Sequence, residues 1–66
     1  MIYIEKAEFQ KLVKQHPDYI GKCLQDHTFN GITCKRGEWC GFESVITGDC
    51  TKGTTLIFQH IHFEIV

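Results

Sequence analysis

The chain has 66 residues, of which 42% are apolar, and a formal net charge of −1. This length gives room for one small domain, and we expect residues 1–66 to form it. The apolar content argues against disorder, and the near-neutral charge argues against nucleic-acid binding, because phosphate binding requires a basic face.

The first element is the segment MIYI, residues 1–4, which is apolar and partly β-branched and therefore predicts a strand. Its apolar run ends after four residues and has no basic flank. A signal sequence or a membrane span would need a longer apolar run. We therefore expect a cytoplasmic protein that makes no membrane contact.

A helix is predicted from Lys6 to about residue 16. Phe9, Leu12 and Val13 have the i, i+3, i+4 spacing that places side chains on one helical face. Pro17 ends this helix, because a proline disfavours helical geometry in the residue before it. Residues 17–21 could form one further helical turn, and residues 22–28 fit either a short turn of helix or a loop.

The rest of the sequence predicts β-sheet. The dipeptides NG at 30–31 and RG at 36–37 are turn signals, and residues 47–54 form a longer loop. Strands are expected over 32–35, 38–47 and 55–66. The fold class is therefore α+β, with the N-terminal strand and one main helix packed on an antiparallel sheet of three to four strands.

Strand alternation predicts an apolar patch on the sheet face that the helix does not cover. In strands at 38–47 and 55–66, alternate side chains point to opposite faces. The patch would consist of Trp39, Val45, Leu56 and Phe58. Large apolar patches usually mark interaction surfaces, so we expect a homodimer or another protein partner here. The alternative is that residues 22–28 or the N-terminal strand cover this patch.

His60, His62 and Glu64 alternate along the last predicted strand. Residues two apart in a strand have Cα atoms about 6.6 Å apart on one face, so both imidazoles and the carboxylate could converge on one ion. These ligands suit Zn or another transition metal. Alternating polar residues are equally typical of a partly solvated strand, and this second interpretation, without a cofactor, is favoured.

The four cysteines, at positions 23, 34, 40 and 50, contain no C-x-x-C pair. In a reducing compartment we expect them to be buried thiols, with disulfides or a metal site as alternatives. Cys23 and His27 form a C-x3-H pair that Cys34, Cys40 or Cys50 could complete to a zinc site. The separations match no zinc-finger pattern.

No catalytic motif is recognisable in the sequence. A chain of this length is also short for enclosing a substrate pocket of about 300 Å³ or more. We therefore expect a non-catalytic interaction protein rather than an enzyme. The alternative function is metal binding by His60 and His62, with Glu64.

Overall fold

The computed structural model describes residues 1–29, 31–41, 43–47 and 50–66, apart from the side chains of Phe29, Ile32, Cys40, Glu43 and Ser44. Within these ranges the elements are β1 (Ile2–Ile4), α1 (Lys6–Lys14), β2 (Ile20–Cys23), β3 (His27–Phe29), β4 (Ile32–Cys34), β5 (Trp39–Gly41), α2 (Glu43–Thr47), β6 (Thr55–Phe58) and β7 (Ile61–Ile65). The predicted α+β class is confirmed.

The main sheet is mixed and has the strand order β1-β7-β6-β2-β5. Strand β1 runs parallel to β7, and the other neighbours are antiparallel. Strands β3 and β4 form a separate two-stranded hairpin. The N-terminal strand thus joins the sheet at an edge, β2 also belongs to the sheet, and the predicted strand over 32–35 lies in the separate hairpin.

Helix α1 covers one face of the main sheet, as its apolar spacing predicts. Phe9 and Val13, four residues apart, expose 0% and 2% of their surface. The Phe9 ring packs edge-on against Phe58 and Phe63, with centroid distances of 6.0 and 5.2 Å. The prediction of a further helical turn at 17–21 is wrong, because β2 begins at Ile20.

The prediction of a single strand over 38–47 is also wrong. Strands β5 and β6 lie on opposite sides of β2 and are both antiparallel to it, so they run in the same direction. Parallel strands need a crossover connection, usually with a helix. That helix is α2, which is held beside α1 where Gln10 Nε2 donates a hydrogen bond of 2.6 Å to the Val45 carbonyl.

The predicted strand over 55–66 is a tight hairpin, formed by β6 and β7 around Gln59 and His60. These two residues have φ angles of 50° and 64°. Positive φ at both central residues is characteristic of the type I′ turn, whose twist matches that of the flanking strands. The Gln59 N–H donates to the Tyr19 hydroxyl at 2.5 Å, which links the turn to the segment after α1.

We expect His60→Gly to stabilise the protein by about 0.5–1 kcal/mol, because glycine adopts positive φ without the steric penalty of a Cβ atom. His62→Gly is the matched control. It places glycine within β7 and should destabilise by a similar amount. Urea unfolding midpoints measure both effects. Destabilisation of equal size by both changes would contradict the turn assignment.

Candidate functional site

The predicted apolar patch does not form, because three of its four side chains belong to the core. Val45, Leu56 and Phe58 expose only 1%, 2% and 1% of their surface. Val45 lies on α2 and enters the core from there. Leu56 and Phe58 lie on the face of β6 that points towards α1, and the chain reverses direction in the turn after Phe58. Trp39 alone remains at the surface, with 68% exposed.

The face of the main sheet that points away from the core carries a different set of side chains, which we call the outer face. Strand pairing aligns Trp39, Lys22, Ile57 and His62 in one row across β5, β2, β6 and β7. Side chains of directly paired residues lie on the same face. The outer face carries Tyr3, Ile20, Lys22, Trp39, Ile57, His62 and Glu64, together with the buried Thr55, which pairs with Glu64.

Much of the apolar surface on the outer face is open. Tyr3 exposes 67% and Ile20 exposes 57% of its surface. The Lys22 ammonium lies 6.0 Å from the centroid of the Trp39 ring, at the outer limit of a cation–π contact. The outer face therefore combines exposed aromatic and aliphatic groups with fixed charge.

Charge is distributed unevenly across the outer face. An open depression of about 430 Å³ beside β2 is lined by Lys22, Arg36 and His62, among others. On the other side of the central strand, Glu64 lies next to Tyr3. Lys22 and Glu64 therefore lie on opposite sides of β6, with His62 beside Glu64 on β7.

The trio His60, His62 and Glu64 does not form the predicted metal site. His60 lies in the turn and not in a strand, so the alternation on which the prediction depends is interrupted. All three side chains are described, and their ligand atoms do not come within 4.8 Å of one another as a group. His62 and Glu64 instead form part of the outer face.

A second cluster contains residues of metal-ligating type. Cys23 ends β2, His27 begins β3 and Cys34 ends β4. Their ligand atoms all lie within 4.8 Å of one another, the one such group of three or more among the described residues. The sequence pattern pointed to Cys23 and His27, and to Cys34 as one of three candidates for completing the group.

Two features of the fold bring this cluster together. His27 and Cys34 are directly paired across the β3–β4 hairpin, so their side chains lie on the same face. The segment between β2 and β3 is fixed to the turn after β4, where the Arg36 N–H donates to the Asp26 carboxylate at 2.6 Å. These contacts set the position of the hairpin relative to Cys23.

The cluster is largely enclosed. Cys23 exposes only 1% of its surface, and His27 and Cys34 are half-buried. His27 Nδ1 is buried and accepts or donates no hydrogen bond among the described residues. Buried polar atoms normally have a partner, so an orphaned imidazole nitrogen in a cluster of sulfur atoms needs an explanation.

The Cys23 thiol is strongly biased towards its protonated form. Burial, with smaller contributions from Cys50 and Glu38, raises its pKa from 9.0 to about 11. Each of these effects opposes a negative charge on sulfur. A thiolate at this position therefore requires a compensating positive charge.

The oxidation states of the cysteines differ. Cys23 and Cys50 carry thiols, as the sequence predicts, whereas Cys34 is disulfide-bonded. A disulfide sulfur lacks the thiolate charge that binds metals. The cluster can therefore act as a ligand set only after reduction of the Cys34 disulfide.

Neither helix in the described part of the chain is long and apolar enough to cross a membrane. Comparison with known proteins finds no family model, no curated protein and no solved structure that matches this chain.

Proposed function

We propose that the protein is a non-catalytic interaction domain that forms a homodimer through its outer face. The observation that carries this proposal is the exposure of Trp39, Tyr3 and Ile20 on a sheet face that neither α1 nor α2 covers. Exposed apolar groups rimmed by charges are typical of interaction surfaces. In a dimer, each copy of this face would bury the exposed apolar side chains of the other.

The strand order favours a second copy of the chain as the partner. Strand β6 is the central strand of five. When two sheets pack face to face with nearly aligned strands, a two-fold axis along β6 places β2 opposite β7 of the partner and β5 opposite β1. The exposed aromatic residues Trp39 and Tyr3 lie on β5 and β1, and Ile57 lies on β6 beside the axis.

Charge complementarity supports the same arrangement. Lys22 lies on β2, in the basic depression, and Glu64 lies on β7. Because Lys22 and His62 share a row, the two-fold axis places Lys22 opposite His62 of the partner subunit, with the partner's Glu64 two residues along β7, about 6.6 Å away. The long Lys22 side chain can reach that carboxylate, and the symmetry creates this contact twice. The opposite charges of Lys22 and the partner's Glu64 favour this orientation, and like-charge contacts penalise the alternatives.

The dimer is expected to be reversible. The accessible surface of the chain is 4310 Å², close to the roughly 4300 Å² typical of a folded monomer of this mass. A standard interface of about 800 Å² per partner would use about a fifth of that surface. The single chain is already compact, so association adds to its stability without being needed for its fold.

Sedimentation equilibrium at micromolar concentrations tests the proposal. We expect the wild-type protein to dimerise, and we expect Lys22→Glu to weaken the dimer at least tenfold, because two contacts change from attraction to repulsion. The double variant Lys22→Glu/Glu64→Lys exchanges the two charges and should restore association. Trp39 fluorescence should shift to the blue as the protein concentration rises.

The control is Glu8→Lys, which makes a charge change on the exposed side of α1, away from the outer face. It should leave the dimer constant unchanged. A wild-type protein that is monomeric throughout this range would overturn the proposal. So would a dimer that Lys22→Glu leaves as tight as before.

A further inference from the structure

We infer that Cys23, His27 and Cys34 form a binding site for a thiophilic divalent ion such as Zn²⁺, which the protein takes up once the Cys34 disulfide has been reduced. The site lies on the core side of β2 and in the β3–β4 hairpin. It is separate from the outer face, so it does not depend on dimerisation.

The geometry of the cluster fits such an ion closely. Zn–S bonds of about 2.3 Å and Zn–N bonds of about 2.0–2.1 Å place tetrahedral ligand atoms roughly 3.6–3.8 Å apart. The three ligand atoms here already lie within 4.8 Å of one another. Shifts of about an ångström or less in side-chain position therefore suffice. Structural zinc sites commonly combine cysteine with histidine in this way.

The orphaned His27 Nδ1 points to a ligand and not merely to close packing. A buried nitrogen that gains no hydrogen bond loses its hydration without compensation, which costs about 1–3 kcal/mol. This cost disappears when the lone pair on nitrogen binds a metal ion. Neutral imidazole is a common zinc ligand, and paired with thiolates it favours zinc or cobalt over magnesium or calcium.

The chemical steps balance with an ordinary thiol as the reductant. Two thiol molecules reduce the protein disulfide, which leaves Cys34 and its former partner as thiols and releases the reductant as its own disulfide. Zn²⁺ then displaces one proton each from Cys23 and Cys34 and accepts the lone pair of His27. A small-molecule disulfide reverses the process: it re-forms the Cys34 disulfide by thiol–disulfide exchange, leaves as two thiols, and the ion departs as Cys23 regains its proton.

Titration with Co²⁺, before and after thiol reduction, tests this inference. We expect the reduced protein to bind one ion and to show both a thiolate-to-cobalt charge-transfer band and the intense visible bands of tetrahedral coordination. Zn²⁺ should displace the cobalt and raise the melting temperature. The oxidised protein should bind at least 100-fold more weakly. Absence of the charge-transfer band in the reduced protein would overturn the inference.

His27→Ala should weaken cobalt binding by the reduced protein at least tenfold, and His62→Ala is the matched control with no expected effect. Circular dichroism establishes that both variants fold. If His27→Ala unfolds, Cys34→Ser provides the second variant, since it removes another ligand of the same group from β4 and should weaken cobalt binding in the same way. Equal affinity in the His27→Ala and His62→Ala variants would contradict the site.

Discussion

Phe58→Ala is expected to lower the free energy of unfolding by about 3–5 kcal/mol. The Phe58 ring exposes only 1% of its surface and contacts the rings of Phe9, His16 and Tyr19, with centroid distances of 6.0, 5.4 and 4.6 Å. At about 0.05–0.15 kcal/mol per residue, a 66-residue domain has a total stability of roughly 3–10 kcal/mol. Loss of this one ring therefore removes much of the stability.

Far-UV circular dichroism during urea unfolding measures the effect. The matched control is Trp39→Ala, which removes a larger ring that is 68% exposed. We expect it to change the stability of the monomer by less than about 1 kcal/mol, although it should weaken dimerisation. If Phe58→Ala were folded and merely monomeric, Phe58 would be an interface residue, as strand alternation predicts, and its assignment to the core would be wrong.

The elements that depend on local pattern were predictable from the sequence. Phe9 and Val13 lie four residues apart and both enter the core, so helical periodicity identified α1 correctly. The His27–Cys34 pair was also accessible. A two-residue turn at 30–31 pairs 29 with 32, 28 with 33 and 27 with 34, the register of the hairpin.

The errors arise where distant parts of the chain override local pattern. Gln59 and His60 form a turn without glycine or asparagine, so alternation appeared to continue through them and reversed the faces assigned to Leu56 and Phe58. Val45 lies in a five-residue helix that exists because β5 and β6 are parallel. Neither the crossover nor the hairpin follows from residue type alone, because both depend on how the strands pair.

The stability of the protein is expected to fall by roughly 2–3 kcal/mol between pH 9 and pH 11, because of the buried thiol of Cys23. Its pKa is raised from 9.0 to about 11 in the folded chain, chiefly by burial. Above pH 9 the unfolded chain releases this proton while the folded chain retains it, so rising pH favours unfolding. Below pH 9 both states hold the proton, and the contribution is fully present.

Urea unfolding of the wild-type protein and of Cys23→Ala, at pH 8, 9, 10 and 11, isolates this contribution. Other groups that titrate over this range, such as lysines and tyrosines, are common to both proteins, so the difference between the two pH profiles reports Cys23 together with its interaction with Cys50. We expect the variant to be less stable at pH 8, because it loses buried volume, and the gap to narrow steadily as the pH rises. Parallel profiles would show that the folded chain accommodates the Cys23 thiolate as readily as water does, which 1% exposure beside Glu38 and Cys50 should prevent.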